Sequence, residues 1–132
     1  MKSISAILVT IFIASCGSPV PYEKAADAQE AGTEFIRASL DGDYNKAVFY
    51  LYRDSTNTNL RLLEKWKSDY NHRSEEDKVK YKDASIIALS ITPENDSVQN
   101  FVYTNSFEPK DTTTIKVIRM QGEWLVDLQA IH

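Results

Sequence analysis

The chain has 132 residues, 42% of them hydrophobic, with 19 acidic against 15 basic side chains and a formal net charge of −4. That length suits one domain around a single core, and the modest acidic excess argues against a surface built to hold phosphate backbones, so no nucleic-acid partner is expected. A single cysteine excludes an internal disulfide, and the fold must rest on packing alone.

Lys2 places a positive charge ahead of a mostly apolar run from Ile4 to Ala14. The run is too short to span a bilayer, which takes about 20 residues, but it fits the roughly 7–15-residue core of a secretory signal. Small residues Ala14 and Ser15 then precede Cys16. Ile13-Ala14-Ser15-Cys16 resembles the lipobox of bacterial lipoproteins. The resemblance implies diacylglyceryl transfer to the Cys16 sulfur, cleavage after Ser15 and acylation of the new amine. Each buried methylene contributes about 0.8 kcal/mol and one chain alone binds marginally, so two or three acyl chains on Cys16 would hold the protein at a membrane. The expected organisation is a signal peptide over residues 1–15, the lipidated cysteine and a spacer over 16–22, and one domain over 23–132. Gly17, Ser18 and Pro19 offer no acidic cluster like the surface-export signal of Bacteroidota lipoproteins. Gly17 also differs from the aspartate associated with inner-membrane retention in enteric bacteria. These likenesses imply an outer-membrane protein facing the periplasm.

Prolines 19 and 21 favour extended geometry in the spacer. Ala28, Ala31, Phe35, Ala38 and Ser39 then recur at helical spacing, with Ile36 and Leu40 beside them. Asp41-Gly42-Asp43 interrupts this helix: Gly42 can take the left-handed stop and Asp43 can cap the next start. Tyr44, Ala47, Val48 and Leu51 predict a second, short helix. Asp54-Ser55-Thr56-Asn57 reads as a turn and cap. Leu60, Leu63, Trp66 and Tyr70 predict a third helix. Ser74 caps an acidic first turn, Glu75-Glu76-Asp77, and Lys78, Lys80 and Lys82 follow toward the other end, which suits the helix dipole. The run from Arg73 to Lys82 reads as a solvated helical face.

After Asp83 the period changes to two. Ile87, Leu89 and Ile91 alternate before a turn at Pro93-Glu94-Asn95-Asp96. Phe101, Tyr103 and Phe107 alternate on a second strand, with Val98, Val102 and Thr104 on its other face. Pro109-Lys110-Asp111 turns the chain into a β-branched third strand from Thr112 to Met120. Gln121-Gly122 predicts a tight hairpin, and Trp124, Val126 and Leu128 alternate on the last strand.

Helices followed by an antiparallel meander predict an α+β fold, with N-terminal helices on one face of a sheet of about four strands. A first helix ending at Leu40-Asp41-Gly42-Asp43-Tyr44, Ala47 soon after, and the closing Gly122-Glu123-Trp124-Leu125-Val126-Asp127 resemble the small cone-shaped nuclear-transport-factor-2-like domains. More narrowly they resemble the Bacteroidota lipoproteins of unknown function with that fold. The likeness implies a curved sheet, and a fold that hosts isomerases, dehydratases and cyclases as well as non-enzymes.

The residues offer little chemistry. His72 and His132 are the only histidines and stand far apart, so no metal site and no cofactor is expected. No serine sits in a nucleophile elbow, and the four glycines form no phosphate loop. The enzymes of the resembled fold usually place an acid with a histidine or tyrosine inside the cone. The one set that can be assembled here is Asp127 with Tyr44, Tyr50 or Tyr103. The phase of Asp127 is opposite to Trp124, Val126 and Leu128, which predicts a solvated carboxylate. Trp66, Tyr103, Phe107 and Trp124 are candidates to line an apolar cavity, and Trp124 is expected to be buried against the helices. Ser55, Ser97 and Thr112, each after an aspartate, resemble the O-glycosylation acceptors of Bacteroidota envelope proteins, although the same pattern is ordinary turn chemistry. The expected function is a non-catalytic, membrane-anchored binding module. Its partners would be the membrane through Cys16 and a small apolar ligand or an envelope protein. A small isomerase- or dehydratase-like enzyme and an inhibitor or immunity lipoprotein stay open beside it.

Overall fold

The computed structural model describes residues 22–129; the expected leader, Cys16, the expected spacer to Pro21 and His132 lie outside the described residues. Asp27 opens the first helix, α1 (Ala28–Asp41), with its carboxylate accepting the Glu30 backbone N–H at 2.8 Å. The Glu30 side chain accepts in return from the Ala26 N–H at 2.9 Å, which completes a capping box one residue offset. Ala28, Ala31, Phe35, Ile36, Ala38 and Leu40 are buried along α1, as their spacing predicts. Small residues let this helix lie close on the sheet: a Cβ added at Gly32 would touch the Phe101 ring at 3.4 Å.

Gly42, at φ 74°, ends α1. Its N–H bonds the Ser39 carbonyl at 3.3 Å and the Asp43 N–H bonds the Ala38 carbonyl at 2.9 Å, a Schellman closure. Asp43 then caps α2 (Tyr44–Phe49) by accepting from the Lys46 N–H at 3.1 Å. The expected stripe through Leu51 is cut short. α2 ends at Phe49, and Leu51 leaves the helix to bridge Val126 in parallel, held by Tyr52 N–H to Val126 O at 2.8 Å and Val126 N–H to Tyr50 O at 2.7 Å. Asp54 starts α3 (Thr58–Asn71), accepting from the N–H groups of Thr58 and Asn59, both at 2.9 Å. Ser74 caps α4 (Glu75–Asp83) through the Asp77 N–H at 3.1 Å. Among the described residues, no helix is long and apolar enough to cross a membrane.

The sheet is a four-stranded antiparallel meander in the order β1 (Ile86–Asn95), β2 (Val98–Asn105), β3 (Thr113–Met120), β4 (Glu123–Asp127). Its helix-facing side carries Phe101, Tyr103, Ile115, Val117 and Val126, all buried. The chain is therefore α+β, with helices on one face of a curved, open sheet. Gln121 and Gly122 both have positive φ (51° and 78°), the hairpin turn that favours glycine.

Two strands depart from the simple alternation. The pairing passes from Ala88 opposite Tyr103 to Ser90 opposite Val102, so Leu89 is an extra residue in β1. This bulge shifts the phase. Ile91 packs on the core, while Ile87 and Leu89 are exposed instead of sharing its face. Pro93 and Glu94 belong to β1 rather than to the turn, which falls on Asp96-Ser97. Proline is tolerated there because β1 is an edge strand. Phe107 lies beyond β2, not on it. The Asn105 side-chain carbonyl accepts from the N–H groups of Phe107 (3.0 Å) and Glu108 (2.8 Å), and this local turn ends the strand.

Candidate functional site

The end of the sheet where β2 finishes and β3 begins is not closed by the helices. A cleft of about 340 Å³ opens there. Ser39 and Leu40 from the last turn of α1, Tyr44 from the start of α2, and Trp66, Asp69 and Tyr70 from the second half of α3 form one wall. Arg73 and Tyr81 follow from the α3–α4 junction and α4. Tyr103, Asn105 and Thr113 come from the strand ends, and Glu108 and Asp111 from the loop between them. The volume lies near the lower bound of roughly 300–1,000 Å³ for clefts that hold small molecules.

Local chemistry fixes these side chains. The Tyr44 hydroxyl donates to the Trp66 carbonyl at 3.2 Å, and its ring meets Tyr70 edge-on at 5.9 Å. Trp66 leans on buried Phe35, centroids 5.6 Å apart. Tyr103 stacks on Phe101 at 5.9 Å. The Tyr81 hydroxyl donates to the Glu108 carboxylate, and the Arg73 guanidinium lies 4.6 Å from the Tyr81 ring centroid. The buried Thr104 hydroxyl ties the 106–111 loop down through the carbonyls of Glu108 (2.9 Å) and Asp111 (2.8 Å).

Burial pushes the hydroxyls of Tyr44 and Tyr103 well above the usual phenol range. Nearby Tyr70 and Asp69 add to this for Tyr44, while Thr113 pulls Tyr103 the other way. A phenol shifted that way keeps its proton, and that of Tyr44 is donated to the Trp66 carbonyl. Burial also raises the Glu108 carboxyl, with Arg73 opposing it and Asp111 reinforcing it.

Of the four expected lining residues, Trp66 and Tyr103 stand in this cleft and two do not. Phe107 packs edge-on behind Tyr81, centroids 4.9 Å apart. Trp124 is at the other end of the domain, half-buried instead of buried, in a recess of about 60 Å³ with Lys24 and Phe49. Its phase toward the helices is right, but it sits at the start of β4, where the Lys24–Ala25 segment covers it only in part. Asp127 does not join Tyr44 and Tyr103. It is half-buried, accepting from the Asn59 side-chain amide at 3.2 Å and the Gln129 N–H at 3.0 Å. The Tyr50 hydroxyl donates to the Glu23 carbonyl at 2.7 Å. Ser55, Ser97 and Thr112 are all exposed, outside helices and strands. His72 is exposed, with its Nδ1 2.7 Å from the Ser68 carbonyl, and no described residues form a cluster able to hold a metal ion.

Arg73, Tyr81 and Glu108 were not foreseen. The Arg73–Lys82 run is a solvated face in most of its length, but Tyr81, its one aromatic, is 6% exposed. That lone tyrosine in a charged helix was the available signal.

The chain matches no protein-family model and no curated protein. Among solved structures it is similar to an NTF-2-like protein of unknown function from Shewanella oneidensis MR-1. The identity is 14%, covering 74% of this chain and 89% of the other, with a TM-score of 0.52. At that identity the likeness carries the fold, which is nuclear-transport-factor-2-like.

Proposed function

We propose that the chain is a lipid-anchored cell-envelope protein whose cone-shaped domain binds a small amphipathic ligand without transforming it. The observation that carries the binding half is the aromatic cleft, a concave site with a few polar groups at its edges. Its phenols are held protonated, and Asp127 is engaged elsewhere. The anchor half rests on Lys2, the apolar run and Ile13-Ala14-Ser15-Cys16, with an outer-membrane, periplasm-facing address as its corollary. Glycosylation at Ser55, Ser97 or Thr112 is a further part of the proposal, supported by their exposure.

A second reading, a small isomerase- or dehydratase-like enzyme, draws on one observation. A carboxyl pushed up by burial, beside open volume and held by a phenol, is the setting of a general acid, and Glu108 with Tyr81 has it.

One mass-spectrometric experiment on protein from its native host tests these parts. Under denaturing conditions the account expects a chain that begins at Cys16 and carries diacylglyceryl and acyl mass, with sugar mass lost when Ser55, Ser97 and Thr112 are replaced. Under native conditions it expects a small co-purifying ligand, absent from Trp66→Ala. An unlipidated chain starting at Met1 would refute the anchor, and a ligand retained by Trp66→Ala would refute the cleft. Conversion of the released ligand on incubation with the protein would favour the enzyme.

A further inference from the structure

Two rings of the cleft already sit against cations. The Arg73 guanidinium lies 4.6 Å from the Tyr81 ring centroid, and the Lys78 ammonium lies 5.5 Å from that of Tyr70. Both are inside the roughly 6 Å range over which an aromatic face attracts positive charge. Tyr44, Trp66 and Tyr103 line the same cleft, and indole is the strongest cation acceptor among the ring types.

The charged lining is lopsided. Asp69, Glu108 and Asp111 face a single lining cation, Arg73, while Lys78 at the Tyr70 ring is already paired with Glu75 at 3.2 Å. Even with Glu108 protonated, the two aspartates outweigh the guanidinium. An anionic ligand would meet that excess, while a cation would be drawn by it. The ring surface that Tyr44, Trp66, Tyr70, Tyr81 and Tyr103 bring to the lining bears on which cation fits. A primary ammonium brings three donors that each need an acceptor. A methylated ammonium needs few or none, and its methyl groups gain by packing on rings.

We infer that the cleft takes a small organic cation, a quaternary or tertiary ammonium whose methyl groups lie on Trp66, Tyr44 and Tyr103 while Asp69 and Asp111 supply the counter-charge. This rests on the small-ligand reading above and names the ligand class for that site.

The test uses the full mature chain in detergent micelles, carrying Trp124→Phe so that Trp66 is the one remaining tryptophan. Trp124 stands outside the cleft. Choline and its uncharged analogue 3,3-dimethylbutan-1-ol are titrated against Trp66 emission. The expected result is saturable binding of choline with a Kd at least about tenfold below that of the alcohol, a ratio that cation–aromatic attraction and counter-charge can supply. Asp69→Asn with Asp111→Asn, both exposed positions, should raise the choline Kd several-fold and leave the alcohol unchanged. Equal affinity for the two probes overturns the cation assignment and leaves the small-ligand reading standing. If neither probe saturates, the cation assignment falls as well, and the native-mass measurement decides the small-ligand reading on its own.

Discussion

Gly42 joins the helix stop to the cleft wall, and replacing it with alanine separates two costs. The first is conformational: at φ +74° a Cβ is held in the left-handed region, which costs about 1–2 kcal/mol. The second is steric. A Cβ at position 42 would lie 2.5 Å from Cζ and 2.6 Å from Cε1 and Oη of Tyr70. The Tyr70 ring must withdraw, losing its edge contact with Tyr44. Such aromatic pairs contribute about 0.5–1.5 kcal/mol beyond their buried area. The sum is about 1.5–3.5 kcal/mol. Gly122 provides the control, because it has φ +78° and nothing within 4 Å of an added Cβ. Gly122→Ala should therefore carry only the backbone cost, about 1–2 kcal/mol. Urea unfolding of both variants measures the difference. With a slope of about 1–3 kcal/mol per molar, a gap near 1 kcal/mol moves the midpoint by roughly 0.3–1 M. Equal midpoints, or a lower one for Gly122→Ala, would mean that Tyr70 is not seated against the end of α1 and that this wall of the cleft is misplaced.

Emptying the fully buried Phe35 site with alanine should cost about 3–5 kcal/mol, while Trp124→Ala, at a half-buried position, should cost about half as much; equal losses in urea would put Trp124 in the core after all. Asn59→Ala leaves the Leu128 N–H and the Tyr52 carbonyl without their 2.9 Å partners, and each abandoned group costs about 1–3 kcal/mol. Hydrogen exchange at the Leu128 amide should accelerate in that variant, and unchanged protection would contradict the link between α3 and β4. Thr56 and the N–H groups of Asn59 and Thr58 hold the Asp54 carboxyl well below its usual range. A depressed folded pKa gives stability that is complete above the unfolded value near 3.8 and is lost as pH falls through the folded value. The stability gap between the parent and Asp54→Ala should thus be constant above about pH 5 and shrink below pH 4; a gap that widens with acid would reverse the assignment.

What the sequence made legible was what neighbouring residues decide among themselves. Asp43 and Gly42 carry the whole of the α1 stop, Ser74 carries the α4 cap, and Gln121-Gly122 carries the last turn. The exposed face of β1 was not legible, because the Leu89 bulge is a property of pairing with β2 and leaves no mark on the alternation of Ile87, Leu89 and Ile91. Phe107 continued the period of Phe101 and Tyr103, yet Asn105 ended the strand by a side-chain turn that the residue type does permit. The cleft itself is tertiary. It gathers residues from Ser39 to Thr113, and of these Trp66 and Tyr103 announced themselves as large apolar groups on amphipathic elements. Arg73 and Glu108 come from segments that read as solvent-facing; Arg73 stays exposed and Glu108 is half-buried, and each joins the cleft lining through its contact with Tyr81.

The two tryptophans make the most direct test of the cleft as the functional site, since Trp66 lines it and Trp124 stands at the opposite end of the domain. A proton–nitrogen correlation spectrum of the labelled protein shows one indole resonance for each. Titration with a set of small amphipathic molecules should shift the Trp66 indole together with the amides of Tyr103, Asn105 and Thr113, and leave the Trp124 indole in place. Ligands that move the Trp124 indole while Trp66 stays still would contradict the assignment of function to this cleft.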